Sequence, residues 1–109
     1  MSLQIASNIA AYFDASNARD AKKVAACFTP DAVVVDEGHE RKGIPAILEW
    51  KDWAEKKYQP VSEVLGSEDA AGKTVVQSRV SGTFPGSPVV LKFEFTLEGG
   101  KIVRLQVVS

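Results

Sequence analysis

The amino-acid sequence predicts an α+β domain in which three N-terminal helices cover one face of a curved, mainly antiparallel sheet. Three observations carry this. Apolar residues recur at helical spacing in Leu3 to Ser16, Val24 to Phe28 and Ile44 to Tyr58, and beyond Pro60 they alternate with polar ones at the two-residue period of a half-buried strand. Ala71-Gly72, Pro85-Gly86-Ser87-Pro88 and Gly99-Gly100 then supply turn residues at short intervals, and connections this short favour antiparallel neighbours.

The first helix is predicted over Leu3 to Ser16, where Ile5, Ile9, Tyr12 and Phe13 form one stripe. Asp20 caps a second, shorter helix, because its carboxylate can accept from the free N–H groups of the first turn. Val24, Cys27 and Phe28 line that helix, and Pro30 ends it. The β-branched run Ala32 to Asp36 is a strand, and Glu37-Gly38-His39 turns it into the short extended piece Glu40 to Lys42. A third helix spans Ile44 to Tyr58, with Pro45 tolerated in its first turn and Ile44, Ile47, Leu48, Ala54 and Tyr58 on its stripe.

Four strands follow, near Val61 to Glu68, Thr74 to Phe84, Val89 to Leu97 and Ile102 to Val108. The third is the clearest, with Val89, Leu91, Phe93, Phe95 and Leu97 on one face and Lys92, Glu94 and Thr96 on the other. Gln77, Arg79, Ser81, Arg104 and Gln106 give the opposite face of the sheet a polar character. If the sheet curls around the helices, the apolar space between them becomes a pocket.

Composition narrows the function. A chain of 109 residues builds one hydrophobic core, so residues 1–109 are read as a single domain. Thirteen basic and fourteen acidic residues, interspersed to a net charge of -1, create no field for a phosphate backbone or an anionic membrane, so neither is an expected partner. A single cysteine excludes an internal disulfide and, with no recognisable leader or spanning segment, makes the cytoplasm the expected location. No dinucleotide fingerprint or phosphate loop is present, and no cofactor is expected.

Tyr12-Phe13 on the first helix, Asn17-Ala18-Arg19-Asp20 before the second, the segment Ala26 to Val33 (Ala-x-Phe-x-Pro-Asp-Ala-Val) and Lys42-Gly43-Ile44 before the third together resemble the nuclear-transport-factor-2-like superfamily, which includes SnoaL-like and ketosteroid-isomerase-like domains. The resemblance spans nearly the whole chain and implies a cone-shaped α+β barrel, with the helices in the concave face of the sheet and an apolar pocket between them. It also implies a homodimer through the outer face of the sheet. By the same resemblance, the general base of ketosteroid isomerase falls on Asp36 and its oxyanion-donating tyrosine on Tyr12. The remaining position, a protonated aspartic acid on a late strand, falls on Phe93. Loss of one such donor typically costs on the order of 10²–10³ in rate, so efficient steroid isomerisation is not expected.

Each candidate has a plainer alternative. Asp36 shares a strand face with Val34, where an apolar setting tunes a carboxyl for acid–base work, or it caps the turn toward His39. Tyr12 presents its hydroxyl to a ligand or is a core residue. Phe13, Trp50, Phe93 and Phe95 wall the pocket or are plain core residues, with Trp50 preferred to Trp53 as a lining residue because it lies closer to the helix stripe. Lys51 lies within that stripe; it is expected to snorkel along its methylene stem, and pairing with Asp36 is the alternative. His39 with Asp36, Glu37 and Glu40 lacks metal-site spacing, so no metal is expected, and Cys27 is read as a buried core thiol.

Three functions follow. The first is an enzyme acting on a small, neutral, apolar or aromatic ligand by isomerisation, aldol-type cyclisation or dehydration, with Asp36 moving the proton. The second is a domain that binds such a ligand without turning it over. The third is an association module acting through Arg79, Lys92, Glu94 and Arg104.

Overall fold

A computed structural model describes residues 6–108. The elements run α1 (Ser7–Asn17), α2 (Ala21–Ala26), β1 (Phe28–Asp36), β2 (His39–Lys42), α3 (Ile44–Tyr58), β3 (Val61–Ala70), β4 (Lys73–Ser81), β5 (Val89–Glu98) and β6 (Lys101–Val108). Of the expected first helix, Leu3 to Ile5 lie outside the described residues. Asp20 caps α2 as expected, its Oδ1 accepting from the Lys23 N–H at 3.1 Å. Pro45 sits in the first turn of α3, where its missing N–H costs nothing.

The six strands form one sheet in the order β2-β1-β6-β5-β4-β3. All neighbours are antiparallel except β1 and β6, which run parallel. The C-terminal strand therefore lies in the middle of the sheet, between the first strand and the β-meander. Register breaks interrupt β1 between Phe28 and Val33, β3 between Val64 and Gly66, and the β5–β6 ladder beside Thr96. Such breaks bend a strand and strengthen its twist, and here they curve the sheet toward the helices.

Two boundaries differ from the sequence expectation. Helix α2 ends before Phe28, because Cys27 closes it and the Cys27 carbonyl accepts from the Ile102 N–H at 2.9 Å. Phe28 thus starts a strand, and Pro30, read as a helix terminator, falls within the β1 irregularity, where a missing ladder donor is tolerated. Strand β4 stops at Ser81 rather than Phe84, since the chain turns onto the end of α3, with the Thr83 N–H donating to the Tyr58 carbonyl at 2.7 Å. Gly82 is required at this approach: a Cβ there would lie 2.3 Å from the Tyr58 carbonyl oxygen.

The core lies between the concave face and the helices. Ile9, Tyr12, Phe13 and Ala15 of α1, Ile47 and Trp50 of α3, and Val34, Val76, Phe93, Phe95, Ile102 and Leu105 of the sheet are buried in one cluster. The alternation expected for β5 is realised, with Phe93 and Phe95 buried while Lys92 is exposed.

Candidate functional site

The concave face owes its residues to register. Asp36, the last residue of β1, pairs with Val107 of β6, which pairs with Phe93 of β5, which pairs with Val76 of β4. Asp36 and Phe93 thus share a row across the sheet, with β6 between them. The next row in runs Val34, Leu105, Phe95 and Thr74. Asp36 follows Val34 by two positions, so it points to the same side, and it stands half-buried where the apolar surface ends.

Helix α3 reaches over this row. The Trp50 indole N–H donates to Asp36 Oδ2 at 2.9 Å, and Trp50 itself is 6% exposed. No other hydrogen bond among the described residues reaches the Asp36 carboxylate. One oxygen is thus held by a rigid donor and the other remains available, and the carboxylate does not cap the turn toward His39. Trp53, by contrast, is exposed and packs edge-on against Tyr58.

Phe13, Phe93 and Phe95 pack on one another within the buried core. Phe13 meets Phe93 edge-on at 5.2 Å and Phe95 at 5.8 Å between ring centroids, and the last two are stacked at 6.4 Å. Tyr12 is edge-on to Phe13, Phe28 and Phe95. Burial raises its phenol pKa well above the ordinary value, and the negative charge of Asp36 acts in the same direction, while the Ser16 hydroxyl opposes it. The phenol therefore stays protonated and able to donate.

Lys51 departs from expectation. Its side chain does not snorkel to solvent; it is 8% exposed, and Nζ donates to the Ser16 hydroxyl in the interior. Nζ also lies 5.6 Å from the Tyr12 ring centroid and 5.4 Å from that of Trp50, in cation–π range. Nor does it pair with Asp36, since no described carboxylate lies within 4.0 Å of it. Burial lowers its pKa to about 8; Glu55 and Asp36 oppose that shift and Arg19 adds to it. The physical reason is that the α3 stripe points inward at position 51, and Ser16, itself buried, offers a polar endpoint deeper than the surface.

Ser16 is the residue that sequence reasoning missed. It follows Tyr12 by four positions, on the stripe assigned to the core, and a hydroxyl on that stripe signals a polar partner inside. Cys27 is buried as expected, its Sγ set 3.3 Å from the Lys23 carbonyl oxygen. His39 is exposed, and among the described residues no three His, Cys, Asp or Glu side chains are grouped as metal ligands. A separate groove of about 460 Å³ runs between α1 and α2, lined by Asn8, Asp14, Lys23 and Cys27 among others, and contains none of the candidate residues.

The model of the SnoaL-like domain matches residues 9–105. The chain belongs to the SnoaL-like domain family. A provisionally assigned polyketide cyclase from Sinorhizobium meliloti is 42% identical, with 94% of each chain covered and a TM-score of 0.91. Two more distant structures agree in fold alone. A protein of ketosteroid-isomerase-like fold from Catenulispora acidiphila, solved with trimethylamine, is 16% identical over 97% of this chain and 87% of its own, with a TM-score of 0.84. A provisionally assigned ketosteroid isomerase from Kribbella flavida is also 16% identical, over 94% and 74% of the two chains, with a TM-score of 0.79. No curated protein matches the chain significantly in sequence. The SnoaL-like assignment accounts for the helices in the concave face of a curved sheet. Among the described residues, no helix is long and apolar enough to cross a membrane.

Proposed function

We propose that this SnoaL-like protein is a small-molecule enzyme of the ketosteroid-isomerase and polyketide-cyclase type, in which Asp36 moves a proton on an enolisable carbonyl compound. The observation that carries this reading is the Trp50–Asp36 hydrogen bond on the concave face, which presents the second carboxylate oxygen beside apolar surface. The 42%-identical relative named as a polyketide cyclase supports the same class of chemistry.

In the proposed reaction Asp36 Oδ1 takes a proton from the carbon next to the carbonyl, while Trp50 holds Oδ2 and so fixes the approach. The electron pair moves onto the carbonyl oxygen, where the protonated Tyr12 phenol stabilises the developing enolate. Return of the proton at a different carbon gives isomerisation; attack of the enolate carbon on a second carbonyl gives an aldol closure. The apolar surroundings of Asp36, with Phe93 in its register row, favour a flat apolar or aromatic body.

The test follows deuterium uptake at the α-carbon of cyclic ketones and β-dicarbonyl compounds in D₂O by NMR. Uptake catalysed by the protein and abolished by Asp36→Asn is expected; undiminished uptake by the variant would refute the assignment. Phe93 favours a second reading, since a buried phenyl ring stands in the register row where a second donor would serve an oxyanion. Under that reading ligands bind without deuterium uptake, and Asp36→Asn changes affinity alone.

The proposal extends to a homodimer through the outer face of the sheet. Arg79, already bonded to Glu63 at 3.0 Å, lies on that face with Lys92, Arg104 and the exposed Val90. Charge reversal at Arg79 and Arg104 should halve the mass in sedimentation equilibrium, and an unchanged mass would remove this face from consideration.

A further inference from the structure

Lys51 is the group that the proposed proton transfer does not use. A buried cation is costly unless its charge and its donors are met. The ammonium carries three N–H groups, and the hydrogen bonds of the described residues employ one, to Ser16. The faces of Tyr12 and Trp50 supply partial compensation. The charged groups that act on it are Glu55 from α3, Arg19 from the turn after α1 and Asp36 from β1; neither acid is in ion-pair contact and Arg19 is repulsive. Packing alone would be better served here by methionine or leucine.

We infer that Lys51 anchors an anionic oxygen, so that the ligand of the concave face is a small organic anion rather than a neutral molecule. The inference rests on the reading that this face is the ligand site. It follows from charge and geometry: a buried cation short of a counter-charge is completed by a ligand oxygen through a charge-assisted hydrogen bond. Lys51 adjoins Trp50 in sequence and Trp50 holds Asp36, so the anionic end of the ligand lies toward α1 and α3, with its carbon body toward Asp36. The same placement gives an enolate oxygen a cationic partner beside Tyr12, where the sheet offers only Phe93.

The experiment compares benzoate with benzamide, its neutral counterpart of nearly equal shape, by isothermal titration of the full chain and by Trp50 fluorescence in a Trp53→Phe background. Benzoate should bind about tenfold more tightly than benzamide at about pH 7, as one charge-assisted contact provides. Lys51→Met, which exchanges a buried cation for an apolar chain of similar length, should abolish the difference while benzamide binding persists. In the unaltered protein, benzoate affinity should fall about tenfold between about pH 7 and about pH 9, as the amine loses its proton around the value of about 8. Equal affinity for the two probes, or benzoate binding indifferent to both Lys51→Met and pH, would overturn the inference and leave the acid–base proposal standing. Binding of neither probe by a protein that still catalyses Asp36-dependent deuterium uptake would overturn it as well. Loss of the deuterium result alone would overturn the acid–base proposal and not this one.

Discussion

Lys51 makes a contribution to the stability of this protein that rises with pH above neutrality. Its amine titrates at about 8 in the folded chain and at 10.5 unfolded. Between those values the unfolded state binds more protons than the folded one, so stability rises with pH across this window. Below about pH 8 both states are protonated and the folded state carries the full cost of the buried charge, on the order of 3 kcal/mol from the shift. Between about pH 7 and about pH 9.5 roughly 2 kcal/mol of that cost is relieved. Cys27 and Tyr12 act in the opposite sense. Their pKa values are raised by burial, so above about pH 9 the unfolded chain loses protons that the folded chain keeps, and stability falls. The difference between the unaltered protein and Lys51→Met cancels those contributions. Urea unfolding at a series of pH values should show the variant more stable by a few kcal/mol near about pH 7, with the gap closing by roughly 2 kcal/mol as pH rises to about 9.5. A pH-independent gap would mean that the amine is solvated in the folded state, and the burial argument would fail.

Further predictions concern single contacts. Gly82→Ala should destabilise the chain by about 2 kcal/mol or more in the same urea assay, because the added Cβ meets the Tyr58 carbonyl oxygen at 2.3 Å; a neutral effect would show that the loop yields freely. Trp50→Phe removes the donor to Asp36 Oδ2, and a double-mutant cycle with Asp36→Asn should give a coupling of about 1–3 kcal/mol, whereas additivity would mean no hydrogen bond in solution. Asp20→Ala should cost about 1 kcal/mol through loss of the α2 cap, with Asp20→Asn retaining most of it, and equal losses in both would point to charge rather than capping.

Legibility differed by the kind of information involved. The helices and strands were readable because their apolar residues follow local periods, as in the β5 alternation that buries Phe93 and Phe95. The parallel seam between β1 and β6 was not, since pairing across the whole chain leaves no local pattern. At the site, Asp36 and Trp50 each stand out in the sequence, but their hydrogen bond depends on how α3 lies over the sheet, which spacing alone does not encode. For Lys51 the general habit of lysines prevailed over a local clue. Ser16, a hydroxyl on an otherwise apolar stripe, was the sign that a polar group from elsewhere meets α1 in the interior.

The central position of β6 has a kinetic consequence. Val34 pairs with Leu105, residues roughly seventy positions apart, and without β6 the sheet order falls into two separate pieces. The β3–β5 meander can form from contacts close in the chain, whereas β1 and β2 must wait for a strand that leaves the ribosome after all the others. Until then Val34 and the apolar side of α3 have no complete sheet to cover, which is when such chains are most open to capture by chaperones or to aggregation. Folding of this domain is therefore expected to be limited by the docking of its last strand, so that substitutions in β6 slow the folding rate while those in the β3–β4 hairpin mainly change the rate of unfolding.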